Sequence, residues 1–402
     1  MLEGRKILLC PTGGIAVYKA VLLLRELTRR GAAVRVVMTE NACKFVNPLT
    51  FETLSGHPVF TDLFRFTEKG EIPHIALADF PDLIVVAPAT ANIVGKIAGG
   101  IADDLLSTIV TASKAPVLIC PAMNENMYEN RIVQKNLADL ASLGYLIMAP
   151  GYGPLACRTK GQGRLPEPPD IAEEIEYILA EKDLADERVL VTAGPTQEPL
   201  DPVRFISNYS SGKMGYAIAL AARRRGAAVT LISGPTALAP LPGVDFVPVK
   251  TALQMRDAVL ARFEKSTVVI KAAAVADYRP AVYEASKIKK TEGVLNLSLE
   301  RNPDIISEIA RQKGNRIIVG FSMESDHLLE HAREKLRTKG MDFIVANDVT
   351  EAGAGFRGDT NVVRILDKDG ALNEYPLMSK LEVAGVILDR VKTLREKGAQ
   401  KR

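Results

Sequence analysis

The chain has 402 residues, 47% hydrophobic and 25% charged, with a formal net charge of +3. A chain of this length holds two or three domains at roughly 100–200 residues each. The small, scattered positive charge gives no argument for nucleic acid or an anionic membrane as partner, while anionic small molecules, read by local charge, stay open.

No apolar run reaches the ~20 residues that a membrane-spanning helix needs. The start, MLEGRKILLCPTGGIAVYK, reads as a strand and a helix broken by a Pro-Thr-Gly-Gly turn, and not as a signal peptide. Cys10, Cys43, Cys120 and Cys157 are far apart, which fits neither a zinc site nor a disulfide framework. A reduced, cytoplasmic setting is expected.

Residues 5–38 read as strand, turn, helix and strand: RKILLC, PTGG, IAVYKAVLLLRELTRR, then AAVRVVM after Gly31. This βαβ pattern predicts a parallel sheet covered on both faces. Gly13 and Gly14 let the backbone approach a ligand at the helix start. Thr39, Glu40 and Asn41 fall at the carboxyl edge, where doubly wound sheets bind ligands. A loop-rich region is expected from Asn47 to Ile72, with His74 after it. DLIVVAPATANIVGKIAGGIADDLLST predicts a strand (Leu83 to Ala87), a loop with Thr90 and Asn92, and a helix. APVLICPAMNENMYEN predicts a strand (Val117 to Cys120) and a polar loop, and YLIMAP a further strand. GYGPLACRTKGQGRLPEPP reads as an unusually long Gly/Pro-rich loop. The helix DIAEEIEYILAEK closes a first domain, 1–180; the charged segment 181–187 reads as a linker, and 188–402 as the second domain.

The second half repeats the pattern. VLVTAGPTQEPLDPVRFISNYSSGKMGY (189–216) runs from a buried strand through a Gly194-Pro195 turn and a polar loop to a helix start near Lys213. Free amides at such a helix start, with the helix dipole, favour an anion. Ser207, Asn208, Ser210 and Ser211 add short polar side chains, and Lys213 adds a cation. The stretch is neither a Walker A loop nor G-x-G-x-x-G, so the residues read as a phosphate or nucleotide site of unusual type. A serine-rich helix cap without ligand is the plainer alternative. Strand-like VVIKAAAV (268–275), helical DIISEIARQ (304–312), strand IIVGF (317–321), a helix over about 326–339 and strand FIVA (343–346) continue the α/β alternation. NVVRILDKDGALNEYPL reads as a hairpin turning at Asp369-Gly370, and SKLEVAGVILDRVKTL as the final helix. The fold class predicted is α/β, with two Rossmann-like doubly wound domains.

Several residues carry two readings. His74 is an ordinary structural histidine by its apolar neighbours, and Asn124 an ordinary turn residue. Lys287, Lys289 and Lys290 form a charge run that is usually a solvated loop. His327 and His331 have metal-ligand spacing on a helix but no third distant ligand. Cys157 stands apart: Arg158, Lys160 and Arg164 lie near it in the glycine-rich loop, and cations bring a thiol into the useful acid/base range.

TAGPTQEPLDPVRFISNYSSGKMG resembles the signature of phosphopantothenate–cysteine ligases, with KAAAVADYRP, KIKK, NPDII and VGF following in order. PTGGIAVYK, APATAN, DDLLST and PAMNENMY resemble flavin-containing cysteine decarboxylases, which in many bacteria are fused ahead of that ligase. The resemblance implies a flavodoxin-like flavoprotein domain followed by a nucleotide-binding ligase domain, a bifunctional enzyme of coenzyme A biosynthesis. It implies FMN lined by Gly14, Thr39, Thr90, Asn92, Ser107 and Met123. It gives Asn124 the departing carboxylate, His74 the substrate thiol proton, and Cys157, on a substrate-covering flap, the role of proton donor. In the ligase half it implies CTP contacts from Ala273, Asp277, Lys287, Pro303, Asp304, Ile305, Ile306, Phe321, Lys335 and Lys339. Asn208 would act on the acyl intermediate, Lys287 would be catalytic, and Mg²⁺ would bridge the triphosphate. The family often has Gly-Asp after the flap cysteine, where this chain has Arg158-Thr159. Expected partners are 4′-phosphopantothenate, cysteine, CTP and phosphopantothenoylcysteine, in a homo-oligomer of trimeric decarboxylase and dimeric ligase parts. Chemistry alone does not separate CTP from ATP. Two other readings remain: a peptidyl-cysteine decarboxylase fused to an unrelated nucleotide domain, and a non-catalytic flavoprotein that binds partners.

Overall fold

The structure, a computed structural model, describes residues 2–64, 73–154, 160–289, 294–324, 328–348 and 358–400. The chain divides into two compact units, Met1–Ala180 and Glu181–Arg402.

In the first unit the apolar run after Lys6 forms β1 (Lys6–Cys10). Helix α1 (Val17–Arg29) buries Val17, Ala20, Leu23, Leu24 and Leu27, the stripe of an amphipathic helix, and β2 (Ala33–Val37) follows. Next come α2 (Glu40–Cys43), α3 (Pro48–Ser55) and β3 (Val59–Phe60). The stretch expected to be loop-rich thus contains a helix. Asn47 caps α3 by accepting the Leu49 amide, Pro48 occupies its first turn, and Phe51 is fully buried.

The unit continues with α4 (Pro73–Asp79), β4 (Leu83–Ala89), α5 (Ala91–Ala98), α6 (Leu105–Ala112), β5 (Val117–Pro121), α7 (Glu125–Tyr128), α8 (Arg131–Ser142) and β6 (Leu146–Ile147). It ends with β7 (Gly151–Pro154), β8 (Lys160–Arg164) and α9 (Pro168–Leu179). Its main sheet runs β3-β2-β1-β4-β5-β6, all parallel. Without the two-residue edge strand β3 this is the 2-1-3-4-5 order of flavodoxin-like folds; with β3 it is the 3-2-1-4-5-6 order of dinucleotide-binding folds. One apolar layer lies under α1, α3 and α9, the other under α4, α5, α6 and α8. The long Gly/Pro-rich stretch is an antiparallel ribbon of β7 and β8 where it is described.

The second unit opens with β9 (Arg188–Ala193), the small ribbon of β10 (Glu198–Pro199) and β11 (Phe205–Ile206), then α10 (Lys213–Arg224). It proceeds through β12 (Ala228–Ser233), β13 (Asp245–Pro248), α11 (Ala252–Phe263), β14 (Val268–Lys271), β15 (Tyr278–Pro280), β16 (Leu299–Arg301) and α12 (Ile305–Ala310). It closes with β17 (Ile317–Glu324), α13 (Leu328–Thr338), β18 (Phe343–Asp348), β19 (Thr360–Asp367), β20 (Leu372–Ser379) and α14 (Lys380–Gln400). The main sheet is β13-β12-β9-β14-β17-β18-β19-β20. Its first six strands are parallel and repeat the 3-2-1-4-5-6 order, and β19 and β20 add the expected hairpin. Gly370 takes φ 85 at the hairpin turn, a left-handed conformation that glycine adopts without strain. Gly215 lets α10 lie against β9: a Cβ there would stand 2.6 Å from the Ala193 Cβ.

The charged segment 181–187, read above as a linker, is docked on the second unit. Leu184 is buried in the core beside α10 and α14. Asp183 accepts from Arg225 Nη2 at 2.6 Å and from Lys392 Nζ at 3.0 Å. The Arg225 hydrogen bonds, against an opposing effect of burial, lower the Asp183 carboxyl to about 2 from its ordinary 3.8. A depressed carboxyl adds stability above its unfolded pKa, and that stability is lost as pH falls through the folded value. Asp183→Asn should therefore cost about 2 kcal/mol at pH 7, the equivalent of that fall at ~1.4 kcal/mol per pH unit with a small discount for solvent screening. Urea unfolding followed by far-UV circular dichroism checks this: the gap between variant and parent should narrow between about pH 4 and pH 2. An unchanged gap across that window would mean that the ion pair adds nothing.

Candidate active sites

In the first unit the loops after β1, β4 and β5 converge. Thr12 Oγ1 donates to the Pro88 carbonyl at 2.7 Å and accepts the Thr90 amide at 3.1 Å, tying the first two loops together. Helix α1 begins without a side-chain cap, next to the Gly13-Gly14 turn; its Val17 amide donates to the Gly14 carbonyl at 3.0 Å and its Lys19 amide to the Ala16 carbonyl at 2.9 Å. A Cβ on Gly13 would collide with Asn41, whereas Gly14 has room beside Thr90. A cavity of about 660 Å³ opens here, lined by Gly14, Lys19, Thr90, Met123 and Asn124 among others. A second, of about 570 Å³, shares Gly13, Thr90 and Met127 with it and adds Thr39, Asn92 and Asp104.

Five of the six expected cofactor residues therefore line two adjoining cavities. Thr39 and Thr90 also cap helices, accepting the Ala42 and Ile93 amides at 3.2 and 3.5 Å. Ser107 is placed differently. It is buried, and its amide donates to Asp104 Oδ1 at 2.8 Å in the capping box of α6, so Asp104 and not Ser107 faces the cavity. Burial raises the Asp104 carboxyl, but hydrogen bonds from Lys96 and Ser107 outweigh it and hold the group below its usual range.

Asn124 lines the larger cavity and caps α7, accepting the Asn126 amide at 2.9 Å. His74 sits in the first turn of α4, and its Nδ1 is buried with no hydrogen-bond partner among the described residues. Cys157, with Arg158 and Thr159, lies outside the described residues. The base of its ribbon is well defined. The Met123 amide donates to the Gly163 carbonyl at 2.9 Å, and the Gln162 amide to Glu125 Oε1 at 3.2 Å. A Cβ on Gly163, at φ 142, would collide with the Met123 carbonyl. The buried Lys19 donates to the Leu165 carbonyl at 3.1 Å and to Glu167 at 2.9 Å. Lys19 closes the PTGGIAVYK motif, but its grip on this segment was not legible in the sequence, since its partners lie some 146 positions away.

In the second unit the loops after β9 and β14 meet in the same way. The Ala274 amide donates to the Gly194 carbonyl at 3.0 Å, and the Thr196 amide to the Ala274 carbonyl at 3.3 Å. Asn208 bridges these loops: its Nδ2 donates to the Ala274 carbonyl at 2.6 Å, and its Oδ1 accepts the Ser210 amide at 3.0 Å. Gly212, at φ 78, begins α10 without a side-chain cap. A cavity of about 160 Å³ lies at that helix start, lined by Ser210, Lys213, Ala273, Phe321, Asn361 and Lys380 among others. Lys213 pairs with Asp359 at 2.6 Å, and Lys380 donates to the Gly358 carbonyl. Burial, with the nearby charge of Lys213, pushes the Lys380 ammonium below its usual range.

A neighbouring cavity of about 400 Å³ gathers Asp277, Pro303, Asp304, Ile305 and Lys339 as expected, and adds Lys271 and Arg301. Lys339 pairs with Asp304 at 2.8 Å. Ile306 is instead a core residue, buried at 5% exposure against the chain at Gly320. Lys335 donates to Ser322 Oγ at 3.3 Å and does not line this cavity.

Lys287 is exposed and lines a third cavity, of about 500 Å³. The loop that carries it is pinned at the next residue. The Ile288 amide donates to the buried Asp201 at 3.1 Å, and Arg204 Nη2 donates to the Ile288 carbonyl at 3.0 Å. Asp201 and Arg204 were quoted only as part of a motif; nothing in the sequence says that they grip a loop 84 positions or more away. His327 lies outside the described residues. Among the described residues no group of three or more His, Cys, Asp or Glu side chains is arranged to hold a metal ion.

The Flavoprotein family matches residues 1–179, and the family of the DNA/pantothenate metabolism flavoprotein C-terminal domain matches residues 184–394. The coenzyme A biosynthesis bifunctional protein CoaBC of Bacillus subtilis is 49% identical over 405 residues, covering 100% of both chains. Its namesake from Escherichia coli is 45% identical over 397 residues, 98% of each. A crystal structure of the C-terminal domain of a protein of that name is 42% identical, with a TM-score of 0.47 over 54% of this chain and 100% of that one. The chain therefore belongs to the family of bifunctional coenzyme A biosynthesis enzymes, a flavoprotein unit followed by a pantothenate-metabolism unit.

Proposed function

We propose that the second unit joins 4′-phosphopantothenate to cysteine through an acyl-cytidylate made from CTP. The first unit then decarboxylates phosphopantothenoylcysteine to 4′-phosphopantetheine. The observation that best supports this reading is the full-length similarity to bifunctional relatives, spanning both units without a gap in coverage. No helix among the described residues is long and apolar enough to cross a membrane. A cytoplasmic homo-oligomer, with trimeric decarboxylase and dimeric ligase parts, completes the reading.

The residues around the first cavities fit FMN. An uncapped helix start beside Gly13-Gly14 suits its phosphate, and the two adjoining cavities suit a long, flat molecule. Gly14, Thr39, Thr90, Asn92 and Met123 would hold it. Bound there, FMN supplies a reversible hydride acceptor for the substrate's thiol carbon, so that carboxylate loss leaves its charge on sulfur. Asn124 orients the departing carboxylate as a neutral hydrogen-bond donor, which does not repel it as a second carboxylate would. His74 takes the thiol proton. Cys157 returns a proton to the product at the end of the sequence.

In the second unit the attack of the pantothenate carboxylate on the α-phosphate brings two anions together. Lys287 offsets that repulsion, and Asp277, Asp304, Lys339 and Phe321 hold the nucleotide. Ala273, Pro303 and Ile305 shape its walls. Asn208 keeps the loops after β9 and β14 in register beside the mixed anhydride. Mg²⁺ would come with the triphosphate, held by its oxygens and by no more than one or two protein carboxylates.

Two variants divide the ligase reaction. Lys287→Gln keeps a donor but removes the charge, and pyrophosphate release from CTP with 4′-phosphopantothenate should fall by about 10²–10³. Retention within about threefold, a difference under roughly 1 kcal/mol, would make Lys287 a solvated loop charge. Asn208→Asp replaces the amide donor to Ala274 with a carboxylate. Pyrophosphate release should persist while amide formation with cysteine falls. Equal loss of both steps would assign Asn208 to nucleotide binding instead.

A further inference from the structure

Lys271 ends β14, beside the first strand of its sheet, and its side chain reaches the cavity that holds Asp277, Asp304 and Lys339. It opens the KAAAVADYRP motif, but no reaction step above uses it. No hydrogen bond or ion pair engages its ammonium among the described residues, although it is half-buried. The acid best placed to balance it is already taken: Asp304 Oδ2 receives Lys339 at 2.8 Å, and Oδ1 receives the Ser307 amide at 3.3 Å. The lining carries three cations, Lys271, Arg301 and Lys339, against the two carboxylates of Asp277 and Asp304. Burial pushes the Lys271 ammonium below its usual range, opposed by the charges of Asp304 and Asp277 and aided by those of Lys339 and Lys335. A half-buried cation with no carboxylate in contact, in a lining where cations outnumber carboxylates, is costly to the fold unless an anion comes to it.

We propose that Lys271 is a phosphate contact, and that the phosphate belongs to the nucleotide substrate. This rests on the reading of the cavity as the CTP site. The other phosphate source is 4′-phosphopantothenate. The nucleotide is favoured because the side chains around Lys271 are those assigned to CTP. Lys271 would hold CTP by its charge, so its contribution should follow the phosphates and not the base or ribose. A lysine kept only for the fold would instead appear in stability.

The test uses the full chain with Mg²⁺ and measures dissociation constants for CTP, cytidine and 4′-phosphopantothenate. The parent is compared with Lys271→Gln and Lys271→Arg, and thermal melting checks that each variant folds. Lys271→Gln should weaken CTP about tenfold to a hundredfold, the range for a charge-assisted hydrogen bond. Cytidine and 4′-phosphopantothenate should be unchanged, Lys271→Arg should retain most of the CTP affinity, and the melting temperature of Lys271→Gln should not fall. Equal weakening of CTP and cytidine overturns the proposal, as does CTP binding at the parental level. Selective loss of 4′-phosphopantothenate overturns the nucleotide assignment. A parent that does not bind CTP overturns both the proposal and the reading beneath it. A parent that binds CTP beside an equally tight Lys271→Gln overturns the proposal alone.

Discussion

In each unit the loop after the first strand is hydrogen-bonded to the loop after the fourth strand of the sheet order. Thr12 holds Pro88 and Thr90 in one, and Gly194 and Thr196 hold Ala274 in the other. These are the places where strand order reverses. Right-handed crossovers there send the following helices to opposite faces of the sheet. The two loops leave in opposite directions, and a crevice opens at the carboxyl edge. Without the ties the crevice would lose its floor: Ala274 is at once the acceptor for Asn208 and part of the wall at the start of α10.

The two crevices answer different chemical needs with the same backbone. The first presents the neutral side chains of Asn124, Met123 and Thr90 together with the cations of Lys19 and Arg164. Beside it lies the β7–β8 ribbon, whose return strand is held by Met123 and Glu125, while Lys19 grips the residues just after it. The second is crowded with cations. Lys213 and Lys380 stand at the start of α10, Lys271 and Lys339 in the next cavity, and Lys287 on a loop gripped by Asp201 and Arg204. Such a field favours a triphosphate and a carboxylate that must approach each other.

The doubly wound order was legible in the sequence because parallel strands buried on both faces read as short apolar runs between amphipathic helices. RKILLC, AAVRVVM, IIVGF and FIVA all became strands, and the Asp369-Gly370 hairpin turned where its dipeptide required. The helix at Pro48–Ser55 was missed because it buries only Phe51 and shows little periodicity. The 181–187 segment read as a linker from its charge, yet its charges are answered by Arg225 and Lys392, which are distant in sequence. Asn124 and Asp277, which line cavities, could be picked out from their motifs. Lys380, which lines a cavity from a helix start, could not, because its neighbours there are gathered only by the fold. Ser107 shows the converse: a motif serine whose hydrogen bonds serve helix α6.

The central claim is that one chain performs ligation and then decarboxylation. The most direct measurement supplies the purified protein with CTP, 4′-phosphopantothenate and cysteine labelled at its carboxyl carbon, and follows pyrophosphate and labelled carbon dioxide together. The expected result is equal amounts of the two at completion, with carbon dioxide lagging and 4′-phosphopantetheine as the final product. Pyrophosphate with no labelled carbon dioxide, or labelled carbon dioxide formed without CTP and 4′-phosphopantothenate, would contradict it.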